Sequence, residues 1–397
     1  MDSKALFVCL FCFAWLSQGC THQVRSKKPV QVVKLAPMVF YSKGGKVVRI
    51  EQYNDKELFE KGAVAFRGEK YAEAAKYYER ILKAFPKSSY TQLATYNLAL
   101  SSERLERHDR AISLYEKVLS GNIDDETRQH AQFRIGANLV ELKKWSRAEK
   151  VYAALALKKN MDVSDRLEAM ASLGLSQQQL GKPYLAESTY RKTLRLFRKE
   201  SRKEYLGNDY FASMAQFQIG KIYEDRFRNR KFRTELDKMK EDLEAKASDL
   251  LRAQAHYIRT IRLRNPHWIV ASLYHIGQLY RHMYHDMMRA PVPKKLSQEE
   301  RQIYRNMLKK RIRVLLNKAI AAFERNLRAA ETLGLGKDKF IVKTREELKR
   351  LRQFIMKEYL AEPSFKEKEK GKEEKKSAPD VSEKNPPSKP SFAPPQR

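Results

Sequence analysis

Small and apolar residues recur through the middle of this chain with a helical spacing that itself repeats. Ala74, Ala111, Ala148 and Ala186 stand 37, 37 and 38 residues apart, and each is followed four residues later by a tyrosine, Tyr78, Tyr115, Tyr152 or Tyr190. Four residues make about one helical turn, so each alanine shares a helix face with its tyrosine. Twelve residues before each alanine comes another small residue, Gly62, Ala99, Gly136 or Gly174, with an apolar neighbour ahead of it at Leu98, Ile135 and Leu173. Two short helices joined by a turn satisfy this spacing. The small residues mark where paired helices approach closely, and the aromatic fills the gap between one repeat and the next.

The same residues return later with their halves drawn apart. Gly220 is followed by Ala253 and Tyr257, and Gly277 by Ala319 and Phe323, so 33 and 42 residues separate the small residues instead of twelve. Each is read as a repeat whose second helix starts early. Leu236, Met239, Leu243, Leu250 and Tyr257 keep a three-four spacing that predicts one helix from about Thr234 to Leu263, about 45 Å long at 1.5 Å per residue. After Pro291 and Pro293, Ser297 and Glu300 form a capping-box pattern that opens another long helix through Ile303, Leu308, Ile312, Leu315 and Phe323. An amphipathic helix from about Lys339 to Leu360 is expected to cover the exposed end of the stack.

These offsets resemble the tetratricopeptide repeat (TPR), whose pattern has a small residue at position 8, Ala at 20, an aromatic at 24 and Pro at 32. Pro86 completes it in the first unit. The units depart from the pattern in lacking its tryptophan, in lacking the proline after the first unit, and in a period a few residues above the usual 34. The resemblance implies an all-α fold, a right-handed superhelix of helix-turn-helix repeats with two extended helical hairpins and a C-terminal capping helix. Residues 55–200 are then four repeats, 205–336 two expanded repeats and 337–360 the capping helix.

In such a superhelix the first helix of every unit lines a groove, and the resemblance places contacts for an extended or helical peptide at positions 2, 5, 9, 12 and 13 of each unit. Carried onto this chain, these positions hold Phe59, Phe66 and Arg67, then Tyr96, Glu103 and Arg104, then Phe133 and Glu141, and later Gln178, Phe217, Lys221, Tyr274, Gln278 and Arg281. Aromatic rings interleaved with arginine suit a peptide carrying apolar side chains and carboxylates. The alternative is that some of these rings pack between helices. Some TPR proteins clamp a chaperone tail with Lys and Asn in the first unit; Phe59 and Ala63 stand there instead, which argues against that ligand.

The N-terminal pattern is different. Lys4 precedes an apolar run from Ala5 to Leu16, followed by small or polar residues and Cys20, so residues 1–19 read as a signal peptide. The run is too short to span a bilayer. Cys9 and Cys12 lie inside it, so cleavage leaves Cys20 alone and no internal disulfide can form. A lone cysteine at that point resembles the acylated residue of bacterial lipoproteins, although Ser17 holds the place where Leu is usual and Leu16 sits one residue further back. Thr21 is not the Asp that keeps many lipoproteins on the inner membrane, so the resemblance points to the outer one. Residues 20–54, with Pro29, Pro37, Gly44 and Gly45 among basic and β-branched residues, read as an extended tether. Residues 361–397 are Lys/Glu-rich and then Pro/Ser-rich and read as a disordered tail.

The composition, 42% hydrophobic and 32% charged with few Gly and Pro, agrees with helix. Net charge is +32, and the tail contributes only +2 of it from nine Lys/Arg against seven Asp/Glu. The basic excess therefore belongs to the body, notably Arg198–Lys203, Arg226–Arg233, Arg259–Arg264 and Lys309–Arg313. Outside the cytoplasm such charge attracts lipid headgroups, lipopolysaccharide, cell-wall polymers or acidic proteins. Export separates the chain from DNA and RNA, so no nucleic-acid partner is expected.

Five of the eight histidines, His256, His267, His275, His282 and His285, fall close together. His282, His285 and Asp286 could share a helix face, but with no HExxH and no cysteine the expected reading is a packed or solvated face, without a metal or cofactor. In an accessible groove these histidines would gain charge near pH 6.5. The sequence has no GxSxG, no glycine-rich phosphate loop and no cysteine nucleophile with a histidine partner in the mature chain, so no catalytic residue is assigned and no enzyme is expected.

The expectation is an exported, periplasm-facing lipoprotein, tethered to the membrane through Cys20, that scaffolds an envelope assembly by binding proteins or peptides in its groove. In layout it is similar to the TPR lipoprotein of the outer-membrane barrel-assembly machine. The stretched fifth and sixth units, with the run Ala290–Pro293, are similar to TPR proteins associated with gliding motility in predatory and social bacteria. The alternative function is an adaptor binding anionic envelope polymers through the basic second half.

Overall fold

The computed structural model describes residues 38–43, 46–203, 206, 209–292 and 296–360. Residues 1–19, read as a signal peptide, Cys20 and residues 361–397, read as a disordered tail, lie outside the described residues. Among those described, thirteen helices follow one another. The first eight form short pairs: α1 (Asp55–Arg67) with α2 (Tyr71–Ala84), α3 (Thr91–Arg104) with α4 (His108–Leu119), α5 (Asp125–Glu141) with α6 (Trp145–Leu157), and α7 (Val163–Gln179) with α8 (Pro183–Glu200). Two longer pairs follow, α9 (Tyr210–Asn229) with α10 (Leu236–Arg262) and α11 (Pro266–Met288) with α12 (Gln298–Leu333), and α13 (Lys339–Leu360) closes the series. The helices stack as an α-solenoid with two extended hairpins, as the repeat pattern predicts.

One close approach locks each pair. A Cβ added to Gly62 would lie 2.7 Å from the Tyr78 ring, one at Gly136 2.7 Å from Tyr152, and one at Gly174 2.5 Å from Tyr190. In the second pair Ala99 holds the equivalent place, and both it and Tyr115 are fully buried. The expanded units keep the same lock, with Gly220 against the Tyr257 ring and Gly277 still closer against Phe323. The added residues therefore lengthen α10 and α12 away from the contact without displacing it. Ala74, Ala111, Ala148, Ala186, Ala253 and Ala319 are all fully buried one turn before these rings, where a larger side chain would overpack the core.

The turn inside each short pair uses a left-handed residue: Glu69 (φ 59°), Glu106 (φ 57°), Lys143 (φ 55°) and Gly181 (φ 73°). The next amide closes the helix end, Lys70 N to Ala65 O at 2.9 Å and Lys144 N to Leu139 O at 2.8 Å, a motif in which glycine is usual. Side chains with a Cβ are disfavoured there by about 1 kcal/mol. Lys143→Gly is accordingly expected to raise stability by up to about 1 kcal/mol in denaturant unfolding. A loss of stability would mean that the turn is not left-handed in solution.

Ahead of the helices, β1 (Met38–Lys43) and β2 (Lys46–Gln52) form an antiparallel ladder pairing Met38 with Gln52 and Lys43 with Lys46. This part of residues 20–54 is a hairpin, which corrects the reading of the whole stretch as an extended tether. The sequence carried the signal, since Gly44-Gly45 between two runs rich in β-branched and aromatic residues is a two-residue hairpin pattern.

The extension of α10 is braced from within. Lys246 is 1% exposed, and its Nζ donates to Phe227 O and Arg230 O at 2.7 Å each and meets Asp286 Oδ2 at 2.9 Å. The carbonyls belong to the end of α9, whose unpaired C=O groups favour a cation. Arg233 folds back onto Asp242 (2.8 Å) and Arg230 onto Asp249 (3.2 Å), so the connection after α9 runs along α10.

Candidate functional site

The positions that the resemblance assigns to a groove lie on the first helices α1, α3, α5, α7, α9 and α11. In five pairs a ring on the first helix leans on the locking aromatic of the second. Centroid distances are 5.8 Å for Phe59–Tyr78, 5.5 Å for Tyr96–Tyr115, 6.5 Å for Phe133–Tyr152, 5.2 Å for Phe217–Tyr257 and 6.1 Å for Tyr274–Phe323. Phe59, Tyr96 and Phe133 are half-buried, which leaves part of each ring open; Phe66 is half-buried edge-on against Tyr71, and Arg67 and Arg104 are exposed.

The later positions are not open. Phe217 is 4% exposed between Tyr257, Trp268 and His275, so it belongs to the core and offers no ligand contact. Tyr274 and Arg281 are covered by α13, whose Phe340 ring lies 5.6 Å from Tyr274 and whose Glu347 meets Arg281 Nε at 3.3 Å. The capping helix thus occupies the groove positions of the last unit. Lys221, with its side chain 22% exposed, is engaged by Glu224 (3.6 Å) and Asp225 (3.3 Å).

A second recurring feature was not read from the sequence. The locking tyrosine's hydroxyl donates to the residue at position 12 of its repeat unit, on the first helix, Tyr115 to Glu103 (3.2 Å), Tyr190 to Gln178 (3.0 Å) and Tyr257 to Glu224 (2.5 Å). Burial pushes all three hydroxyls up in pKa, so they remain donors. Glu103 also accepts from Arg134 Nη1 and Asn138 Nδ2, both at 3.0 Å. Glu224, 1% exposed, accepts from His275 Nδ1 at 2.7 Å. Burial alone would raise its pKa, but the hydrogen bond and charge of His275, with Lys221 and Tyr257, hold it at about 2. The signal available was the shared place of Glu103 and Gln178, twelve residues before a locking tyrosine.

Between α3 and α5 a cavity of about 470 Å³ opens, lined by Glu103, Arg104, Glu106, His108, Ala137, Asn138 and Glu141. Three carboxylates and one arginine line it, and Glu103 is already paired with Arg134.

The histidines are mostly structural. His256 lies 2.6 Å from Gln216 Nε2 and stacks on Tyr223, and burial, with Arg259 and Arg191, holds its pKa at about 4. Burial and then Arg228 and Arg281 hold His282 at about 4 as well. These two therefore stay neutral near pH 6.5, which corrects the expectation that they would switch there. Because the folded pKa lies below the unfolded value of 6.5, the unfolded chain takes up protons first. This contribution is complete above pH 6.5 and is lost as pH falls toward 4. A profile of Tm against pH is expected to decline across that window, with a shallower decline for His256→Gln; identical slopes would show that His256 does not titrate this way. Among the described residues no three His, Cys, Asp or Glu side chains converge to hold a metal ion.

A family model described as tetratricopeptide repeat matches residues 58–88, which run from α1 through α2. No curated protein matches the sequence. Among solved structures, the chain is similar to a fragment of MamA from Desulfovibrio magneticus RS-1, at 17% identity and TM-score 0.36, covering 53% of this chain and 94% of that one. A tetratricopeptide repeat protein from Parabacteroides merdae is similar at 16% identity and TM-score 0.37, covering 75% and 98%. BtubC from P. vanneervenii is similar at 14% identity and TM-score 0.41, covering 70% and 92%. The matched segment and the lock between Gly62 and Tyr78 identify α1–α2 as a tetratricopeptide repeat, and the pairs that follow repeat its packing.

Proposed function

We propose that this chain is an exported scaffold, tethered to a membrane through Cys20, that holds partner proteins on the open part of its groove. Tetratricopeptide stacks offer their first helices to other polypeptides. The observation that carries the reading is the contrast between the two ends of the groove face. Over α11 the groove is filled by α13, whereas over α1, α3 and α5 half-buried rings alternate with exposed charge. Phe59, Tyr96 and Phe133 are already held by Tyr78, Tyr115 and Tyr152, so a partner would cover them at little further entropic cost. Arg67 and Arg104 suit carboxylates on the partner. The cavity edged by Glu106 and Glu141 suits a basic side chain, because Arg134 is already engaged by Glu103.

The N-terminal pattern supports export and the tether, and an envelope protein or peptide facing the periplasm, at the outer membrane, is the matching partner. Crosslinked pull-down from membranes tests the groove: the double variant Arg104→Glu/Glu141→Lys is expected to lose partners captured by the wild type while its Tm is unchanged, since both side chains are exposed. An unchanged set of partners would refute the groove. Cys20→Ser is expected to move the protein from the membrane fraction to the soluble periplasmic fraction, and retention on the membrane would refute the tether.

A further inference from the structure

The N-terminal end of α12 stands away from the stack. Every side chain from Gln298 to Met307 is exposed, and the helix has 36 residues against 23 in α11. Its two sides differ. Ile312, Leu316, Ala319 and Phe323 face the body at 5, 2, 0 and 0% exposure. On the opposite side Ile303, Met307 and Val314 are 59, 54 and 51% exposed. Together with the exposed Lys310, Asn317 and Ala321 they keep a spacing of four, three, four, three, four. At 100° per residue these six positions fall within an arc of about 80°, centred opposite Ile312. That is the narrow a/d period of a coiled-coil seam. The positions flanking the seam include Arg311, Arg313 and Lys318, all exposed, although Lys318 also lies over the Tyr280 ring at 5.3 Å.

We propose that this edge of α12 is a docking seam for an acidic amphipathic helix of a partner protein, paired with it as a two-stranded coiled coil. Seam width favours a helix over a lipid surface, because helices that lie on membranes bury a broad apolar face. Here the apolar line is one residue wide and is interrupted by Lys310 and Asn317, polar seam residues of the kind that fix register between paired helices. Charge selects the partner's chemistry. Cations at the flanking positions are complemented by Glu and Asp, whereas a second copy of α12 would set Arg311 and Arg313 against their own kind. From about Leu308 onward α12 is packed into the core shared with α11 and α13, so the projecting end is an extension of a helix already formed. The seam lies on a second helix and uses none of the groove residues, so its failure would leave the groove reading standing.

The test uses the full chain and two labelled synthetic helices of about three heptads, with Leu and Ile at a and d, one carrying Glu at every e and g position and one carrying Lys. Fluorescence anisotropy is expected to show the Glu helix binding about tenfold or more tighter than the Lys helix. Ile303→Glu/Met307→Glu is expected to weaken the Glu helix about tenfold or more with an unchanged unfolding temperature, and Arg104→Glu to have no effect. Equal binding of the two helices, or binding indifferent to the double variant, would overturn the seam. Phosphatidylglycerol vesicles that bind the wild type and not the double variant would assign the edge to a lipid surface and overturn the proposal. A concentration-dependent dimer lost in the double variant would assign it to a second copy and overturn it equally.

Discussion

Tyr257→Ala is expected to destabilise the second half of the stack by about 4 kcal/mol, read as a lower denaturant midpoint. The ring is fully buried, lies against Gly220 and packs on Phe217 at 5.2 Å, so truncation opens a cavity at the lock of the fifth pair. It also removes the hydroxyl that donates to the buried Glu224, which keeps His275. Tyr257→Phe separates the two effects: the ring stays, one donor is lost, and the expected cost is about 1–2 kcal/mol. Stacked repeats are coupled mainly to their neighbours, so the alanine variant is also expected to split unfolding into two transitions, with α1–α8 melting later. A cost below about 1 kcal/mol for the alanine variant would show that Tyr257 does not lock the pair.

Lys246→Met is expected to cost about 3 kcal/mol. A buried charge is often replaceable by an apolar residue of similar volume when its whole network goes with it. Here the network stays behind: the carbonyls of Phe227 and Arg230 lose the donor that satisfied them, and Asp286 loses its cation. Lys246→Arg should not rescue, because a larger planar guanidinium must enter a site where the native side chain is 1% exposed. Asp286→Asn is expected to cost less than either, since that side chain is 33% exposed and water can replace it. Chemical unfolding of the three variants gives the order, and equal values for Lys246→Met and the wild type would remove Lys246 as a brace.

The repeat architecture was legible because its lock is a one-to-one requirement. A small residue opposite a large ring leaves a trace at two fixed positions, and Gly220–Tyr257 and Gly277–Phe323 kept that trace even with 33 and 42 residues between the small partners. The capping box of Ser297 and Glu300 was legible for the same reason, being a local exchange of two hydrogen bonds. What depends on how one helix is rotated against a distant one was not. Phe217 and Tyr274 hold the same groove position as Phe59, yet the first is sealed by Trp268 and the second by Phe340. Lys246 sits between Leu243 and Leu250 on the apolar stripe of α10, and that interruption of the stripe was the trace of its burial. The ring positions are therefore half-buried in the first three units and closed in the last two by neighbouring helices, Trp268 of α11 over Phe217 and Phe340 of α13 beside Tyr274.

The persistence of the ring contact in the long pairs has a practical corollary for reach. Since the added residues of α12 lie on the far side of Phe323 and Gln298–Met307 are exposed, that end is a spur whose length can change without touching the spine that carries it, whereas the added residues of α10 are braced against α9 and α11. Removing seven residues from the tip of such a spur would draw it in by about 10 Å, two turns, and leave its azimuth almost unaltered. The reach of the α12 end beyond the body can thus be set independently of the ring contacts that hold the pairs together.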